Sequence, residues 1–356
     1  MKVLHVITSL SVGGAEKLMV DIIPRMKSKG IDVDLLLFDG SDTPFKARLV
    51  ESGVTVHELD RGRSVYHPLV LLKLFKYVSK YDIIHTHNTA AQLFVAIASI
   101  FSSAKLCTTE HSTSNRRRGW NWYKIIDRWM YSKYQTIICI SEKTAENLHN
   151  HLVKLTTPTI TIHNGIDINK YASAKESEEI DSNNAKIVMV AAFREEKDQP
   201  TVIRSLLFLP EKFHVYFVGD GVLKQQCQKL SDELNLSDRV HFMGIRTDVE
   251  SILKAADYVV MSSHWEGFGL AAVEGMAAGK PVIASDVPGL AEIVRDAGIL
   301  FPTGDYKTLA VELQKMDHSL ELYNEVAVKC KCRATEFDIS KMVESYIRVY
   351  NKILVN

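Results

Sequence analysis

Apolar positions along the chain alternate between two spacings. Residues 2–8 form a short, nearly continuous apolar run of the kind that makes a buried strand. From Ala15 the apolar residues fall at Ala15, Leu18, Met19, Ile22, Ile23 and Met26, the spacing of one helix face. Gly30 ends that helix, and residues 31–38 return to the strand pattern. The alternation predicts further strands at 54–59, 82–86, 105–110 and 136–140, with helices at 69–78, 90–101 and 123–131. Strands separated by helices imply right-handed βαβ units and a parallel sheet.

Residues 173–186, SAKESEEIDSNNAK, break the pattern and read as an interdomain linker region. Beyond them strands are expected at 187–192, 214–218, 240–243, 257–261 and 282–284, with helices at 202–207 and 223–234. The last stretch, 337–355, is helical in period, with Met342, Tyr346, Val349 and Ile353 on one face. A length of 356 residues suits two domains. The expected fold class is α/β, with two doubly wound parallel-sheet (Rossmann-like) domains facing a cleft. The first would span 1–165, with the segment 337–356 packed back on it, and the second 166–336. Ligands of such sheets bind beyond the carboxyl ends of the strands, so the informative motifs should follow strands.

Composition narrows the class. Forty-three Lys and Arg balance 43 Asp and Glu, which argues against a protein built to coat nucleic acid. Hydrophobic content of 46% supports two cores and excludes a disordered tail protein. Five cysteines stand at 107, 139, 227, 330 and 332, with no CxxC pair, which fits buried thiols in a reducing compartment better than a zinc site. The opening MKVLHVITSLSVGG has the features of a first strand rather than a secretory leader. The longest apolar stretch, 93–101, is far short of the roughly 18 residues of a membrane span.

The richest stretch is 262–293, SSHWEGFGLAAVEGMAAGKPVIASDVPGLAEI. Gly267 and Gly269 precede a helix-like run that ends at Gly279 and Pro281. A glycine turn at a helix N-terminus offers free N–H groups and the positive end of the helix dipole to a phosphate. Glu266 lies in the turn and Glu274 in the helix, placed to accept bonds from sugar or ribose hydroxyls; a helix start with a capping acid reads the same way. Gly13 and Gly14 open the first helix and suit close approach to a pyrophosphate, or a tight turn alone. Arg194 and Lys197 follow a strand and can clamp two phosphates, or form a solvated loop pair. Gly219 ends another strand and would let a nucleotide approach closely, while Asp220 beside it suits a helix cap equally well. His111 follows the fifth strand, where an imidazole can hydrogen-bond a hydroxyl or stand as a capping or buried histidine, beside Glu110. His85 and His87 resemble a metal pair, but no third ligand is apparent in sequence, and the Asp32-x-Asp34 pair lies within a strand. A metal cofactor is therefore not expected.

The run Glu266-Gly267-Phe268-Gly269-Leu270 through Glu274, followed by GMAAGKPVIA, resembles the E-x7-E signature of the family 4 glycosyltransferases, which have the GT-B fold. Gly13-Gly14-Ala15-Glu16, Ile140-Ser141-Glu142, His163-Asn164-Gly165-Ile166-Asp167, Arg194 to Asp198 and Val218-Gly219-Asp220-Gly221 match further blocks in the family's order, across nearly the whole chain. The resemblance implies a retaining transfer from a nucleotide-diphosphate sugar, most often a UDP-sugar, to a saccharide or lipid-linked saccharide acceptor in surface or capsular polysaccharide synthesis. It places Arg194 and Lys197 on the pyrophosphate, Glu274 on the ribose, Glu266 on the sugar and His111 beside that sugar. The backbone of Gly267, Phe268, Gly269 and Leu270 faces the leaving group, and Ile245 and Arg246 lie near the base. Two other readings stay open: a GT-B sugar-nucleotide epimerase, and a non-catalytic nucleotide-sugar-binding protein.

The run Arg116-Arg117-Arg118-Gly119-Trp120-Asn121-Trp122-Tyr123 is basic and aromatic, suited to an anionic membrane or lipid-linked acceptor, or to a solvated loop over packed tryptophans. Charge is also uneven. Residues 1–165 carry 21 Lys and Arg against 14 Asp and Glu, and nine of the 13 histidines; residues 166–356 carry 22 against 29. The expected location is the cytoplasm, with peripheral contact on the inner face of the cell membrane, and no nucleic-acid partner is expected.

Overall fold

The structure is a computed structural model. It describes residues 1–11, 13–62, 64–111, 122–180 and 183–355. Arg116 to Asn121, most of the basic-aromatic run, lie outside the described residues. Two compact units emerge: Met1–Gly165 with Ile339–Asn356, and Ile166–Asp338.

The first unit holds β1 (Lys2–Ile7), β2 (Asp32–Asp39), β3 (Val56–Asp60), β4 (Ile83–Thr86), β5 (Lys105–Glu110), β6 (Thr136–Cys139) and β7 (Thr159–Thr161). They form one sheet in the order β3-β2-β1-β4-β5-β6-β7, with every pairing parallel. Side chains alternate across it. Val3, Ile7, Leu35 and Leu37 join a core with Leu18, Met19, Ile22 and Met26 of the helix Gly14–Ser28. Leu4, Val6, Leu36 and Phe38 join a core on the opposite face with Val70, Leu74 and Val95. Both faces are covered, as a sheet of βαβ units requires, and this is why the strands read as continuous apolar runs.

The helix Ile339–Val355 belongs to this unit. Its buried face of Ile339, Met342, Val343, Tyr346, Val349, Tyr350 and Ile353 completes the core beside the helix Gly14–Ser28. Burying a large side chain of this kind contributes roughly 1.5–3 kcal/mol before entropy is counted.

The second unit holds β8 (Ala185–Val190), β9 (Phe213–Val218), β10 (Val240–Gly244), β11 (Tyr258–Met261), β12 (Val282–Ser285) and β13 (Ile299–Phe301). Their order is β10-β9-β8-β11-β12-β13, again parallel throughout. In each sheet the order reverses between the first strand and its later neighbour, β1/β4 and β8/β11. These are the topological switch points at which doubly wound sheets take ligands.

The segment 173–186 is not a free linker. Ser177 N–H donates to the Ser251 carbonyl at 3.1 Å, Glu179 pairs with Arg246, and β8 begins at Ala185. Polar composition in its described residues reflects a surface path across the second unit. Among the cysteines, 107, 139, 227 and 330 are buried thiols, but Cys332 is exposed. Two positions along a helix turn a side chain to the opposite face, so Cys330 and Cys332 divide between core and surface. Among the described residues, no helix is long and apolar enough to cross a membrane.

Candidate active site

In the second unit the switch point carries the cations and the glycine turn. After β8 the chain makes a single turn, Glu195–Lys197, then a left-handed Asp198 at φ +50° that caps the next helix. After β11, Ser262 Oγ donates to the carbonyls of Lys197 and Asp198 at 2.9 and 2.8 Å, and His264 N–H donates to the Glu196 carbonyl at 2.8 Å. The two strand ends are thereby stitched together.

That stitching brings Lys197 and Glu266 into direct ion pairing, with both side chains mostly buried. Ser263 Oγ also reaches the Glu266 carboxylate, at 3.4 Å. Arg194, four-sixths exposed, is 4.0 Å from Glu196. An ammonium, a guanidinium and a carboxylate therefore stand at one strand-end cluster.

The helix Leu270–Ala277 starts beside them. Gly269 is its N-cap at φ +88°, with no side-chain cap. A side chain there would be strained by the backbone and would strike Leu290 Cδ2 at 2.6 Å, so glycine is required by the turn itself. Gly267 lies in the same turn, and the N–H of Leu270 belongs to the uncapped first turn of the helix. Phe268 is buried edge-on against Phe337, with ring centroids 5.4 Å apart, so only its backbone is placed to meet a ligand. Glu274 is buried within the helix.

Two expected contacts change character. Gly219 has φ +140°, and a Cβ there would sit 2.1 Å from the Ala191 carbonyl oxygen. Its missing side chain makes room for the neighbouring strand end. Asp220 does not cap the following helix, whose N-cap is Leu223; its carboxylate accepts from the adjacent Gly221 N–H at 2.7 Å. Arg246 is bound on two sides, to Asp248 at 2.8 Å and to Glu179 at 2.5 and 3.0 Å. Those hydrogen bonds hold the guanidinium above its usual range, and the Glu179 carboxyl below its own. Neighbouring Ile245 is exposed.

In the first unit Gly13 is the N-cap of the helix Gly14–Ser28, in extended backbone at φ −173°. Glycine is not needed there for conformation; a Cβ would meet the Glu16 carboxylate at 2.2 Å. Burial raises the Glu16 carboxyl. Glu110 is buried and accepts from Gln92 Nε2 and, at 2.6 Å, from the Tyr131 hydroxyl, so it serves the interior. The Asp34 carboxylate likewise accepts from Tyr81 at 2.6 Å.

His111 follows β5 and meets His87 Nδ1 through its Nε2 at 3.0 Å. His85 and His87 do have a third imidazole: His5, on β1, whose register sets it beside His85. The ring nitrogens of all three lie within 4.8 Å of one another, and all are buried. His5 Nδ1 and His87 Nε2 are 2.8 Å apart, a hydrogen-bond distance. Two nitrogens on one tetrahedral metal at about 2.0–2.1 Å would stand roughly 3.3 Å apart. Burial drives His5 down to about 3 and His111 to about 4, and His85 and His87 well below the usual range, so the group is a set of neutral rings. Sequence reading missed His5 because a lone histidine in an apolar strand carries no signal until the strand order is known.

Residues 171–330 match the family model "Glycosyl transferases group 1", and residues 12–170 match "Glycosyltransferase Family 4". The chain is 24% identical over 366 residues to the N-acetyl-alpha-D-glucosaminyl L-malate synthase of Bacillus anthracis, covering 97% of this chain and 95% of that one. It is also 24% identical over 387 residues to the UDP-Gal:alpha-D-GlcNAc-diphosphoundecaprenol alpha-1,3-galactosyltransferase of Escherichia coli, covering 100% and 98%. The fold is similar to that of Anabaena Alr3699/HepE, solved in complex with UDP-glucose, with a TM-score of 0.86 at 23% identity over 99% and 100% of the two chains. The two matched segments follow one another along the chain, each on its own doubly wound sheet, and the protein is a member of the group 1, family 4 glycosyltransferases with the GT-B fold.

Proposed function

We propose that the chain is a retaining, metal-independent hexosyl- or N-acetylhexosaminyltransferase. It takes its sugar from a UDP-sugar and passes it to a saccharide or lipid-linked saccharide in surface or capsular polysaccharide synthesis. The observation that carries this reading is the Lys197–Glu266 pair at the β8/β11 switch point, with Arg194 alongside and the uncapped helix Leu270–Ala277 beside it. A donor diphosphate binding there meets two cations and a row of backbone N–H groups. The Lys197 ammonium, paired with Glu266, also serves the phosphate, and the Glu266 carboxylate serves a sugar hydroxyl. Glu274 serves the ribose.

Front-face substitution then needs no protein nucleophile. The anomeric C–O bond to the diphosphate breaks, and the acceptor oxygen bonds to the same face. The acceptor's proton passes to the departing phosphate oxygen. Arg194, Lys197 and the turn amides stabilise the charge on that oxygen, and His111 meets the sugar.

The donor and acceptor classes draw on the relatives. One is named for a UDP-Gal donor and a diphosphoundecaprenol-linked acceptor, and the similar Anabaena fold was solved with UDP-glucose. Peripheral contact with an anionic membrane at the cytoplasmic face draws on the helix Tyr123–Tyr131, whose Ile125 and Trp129 are exposed together with Trp122 before it.

The test is transfer by purified Lys197→Ala and Glu274→Ala proteins, with UDP-, GDP- and ADP-sugars compared by thermal shift. Each variant should fold and lose about 100-fold or more in turnover. Full activity in both sinks the site assignment, and an inverted anomeric centre in the product sinks retention.

A further inference from the structure

Six hydrogen bonds join seven side chains of the first unit end to end. His111 Nε2 meets His87 Nδ1 at 3.0 Å, and His87 Nε2 meets His5 Nδ1 at 2.8 Å. His5 Nε2 meets the Tyr350 hydroxyl at 3.2 Å, and that hydroxyl meets His85 Nδ1 at 2.6 Å. His85 Nε2 meets Thr109 Oγ1 at 2.7 Å, which meets the Tyr346 hydroxyl at 3.2 Å. All of these side chains except His111 belong to residues with no solvent exposure. One ring nitrogen is left over: His111 Nδ1, buried and without a hydrogen-bond partner among the described residues.

Burial keeps the four rings neutral, so each carries one N–H and one lone-pair nitrogen. Each of the three hydroxyls carries one O–H. Seven protons thus serve six links, and one proton must point out of the chain. If it leaves at Tyr346, Tyr350 or Thr109, a fully buried hydroxyl donates to nothing among the described residues, which carries the full penalty of an unmade bond. In each of those cases the His111 Nδ1 lone pair is unpaired as well among the described residues; if the proton leaves at His111 Nδ1 instead, that N–H is the one unpaired donor of the chain. Tyr346 then donates to Thr109, Thr109 to His85, His85 to Tyr350, Tyr350 to His5, His5 to His87 and His87 to His111 Nε2.

We infer that this buried chain, running from the helix Ile339–Val355 to the end of β5, holds His111 as the Nδ1–H tautomer and so makes it a fixed hydrogen-bond donor to a ligand oxygen, not a proton acceptor. Tyr350, His5 and His87 are positioning residues that act through His111. The tautomer follows from the hydrogen-bond order of four neutral rings; its use in transfer rests on the reading above that His111 meets the sugar.

The tautomer is measured directly, in the intact protein labelled with [15N]histidine, by long-range proton–nitrogen correlation, with His111 assigned from its missing signals in His111→Gln. His111 should show a protonated Nδ1 and a bare Nε2. Tyr350→Phe cuts the chain at two links and frees the His5–His87–His111 segment to reverse, so both His111 tautomers should appear. Tyr346→Phe removes an equally buried hydroxyl but leaves the favoured direction intact, and His111 should keep one tautomer. A protonated Nε2 on wild-type His111 overturns the inference without any variant, as does a Tyr350→Phe spectrum identical to wild type. Stoichiometric zinc retained through dialysis on His5, His85 and His87 also overturns it. In transfer assays, Asn places its amide N–H where Nδ1–H stood and Gln where Nε2 stood. His111→Gln should lose about 100-fold in kcat and His111→Asn distinctly less. An Nδ1–H signal alongside full activity in His111→Gln would leave the chain standing and remove its catalytic use.

Discussion

A glycine at a strand end can serve a ligand or serve the backbone, and Gly219 shows how the two are told apart. Its φ of +140° and the Ala191 carbonyl 2.1 Å from any added Cβ assign it to the backbone. Gly219→Ala should cost about 2–4 kcal/mol of stability while leaving nucleotide affinity of the folded fraction close to wild type. Urea unfolding beside calorimetric titration checks this, and a stable variant with weakened binding would return Gly219 to the ligand. The relation between residues close in sequence, such as Glu266 and Gly269, was legible because one turn fixes it. The pairing of Lys197 with Glu266, the capture of Arg246 by Glu179, and the meeting of His5 with His87 were not. Each joins residues far apart in the chain, and their meeting depends on strand order, which local spacing does not encode.

Most strands and helices were legible because both sheets are parallel and covered, so each strand is an apolar run set between helical periods. The three-residue strands β7 and β13 were not, since three residues are too few to show a period. The polar stretch 173–186 was misread because a surface path and a linker share one composition. The helix Tyr123–Tyr131 adds something the basic run beside it only suggested. Ile125, Arg128, Trp129 and Lys154 line a shallow groove, Trp122 and Ile125 stand well exposed, and the Lys133 ammonium lies 5.5 Å from the Trp129 ring centroid. Apolar bodies ringed by cations suit the interface of an anionic bilayer. Changing Trp122 and Ile125 together to Ser should weaken flotation with phosphatidylglycerol vesicles about tenfold or more. Undiminished flotation would reject this helix as the contact.

At the scale of the whole molecule, the first unit stores an unusual number of neutral imidazoles. His5 and His111 are depressed by burial to about 3 and about 4 from an ordinary value of 6.5. The unfolded chain therefore binds protons that the folded chain refuses. Their contribution is fully present above about pH 6.5 and is lost as pH falls below it, at about 1.4 kcal/mol per pH unit for each such histidine. Urea unfolding between pH 7 and 5, where most carboxylates stay ionised, should show this loss, and a flat profile would contradict the burial of the rings. The same unit is built from both ends of the described chain. Its core is closed by Ile339–Val355, and Phe337 and Asp338 pair with Ile166 where the chain passes between the units. Translation delivers these pieces in an awkward order. Residues 166–338 are all synthesised before the helix that seals the first sheet, so the later-encoded unit can begin to fold while the first is still incomplete. Until that helix emerges, the core shared by the sheet and the helix Gly14–Ser28 lacks Tyr346, Tyr350 and Ile353, and His5 waits for Tyr350, so the first-encoded unit is the later one to be completed.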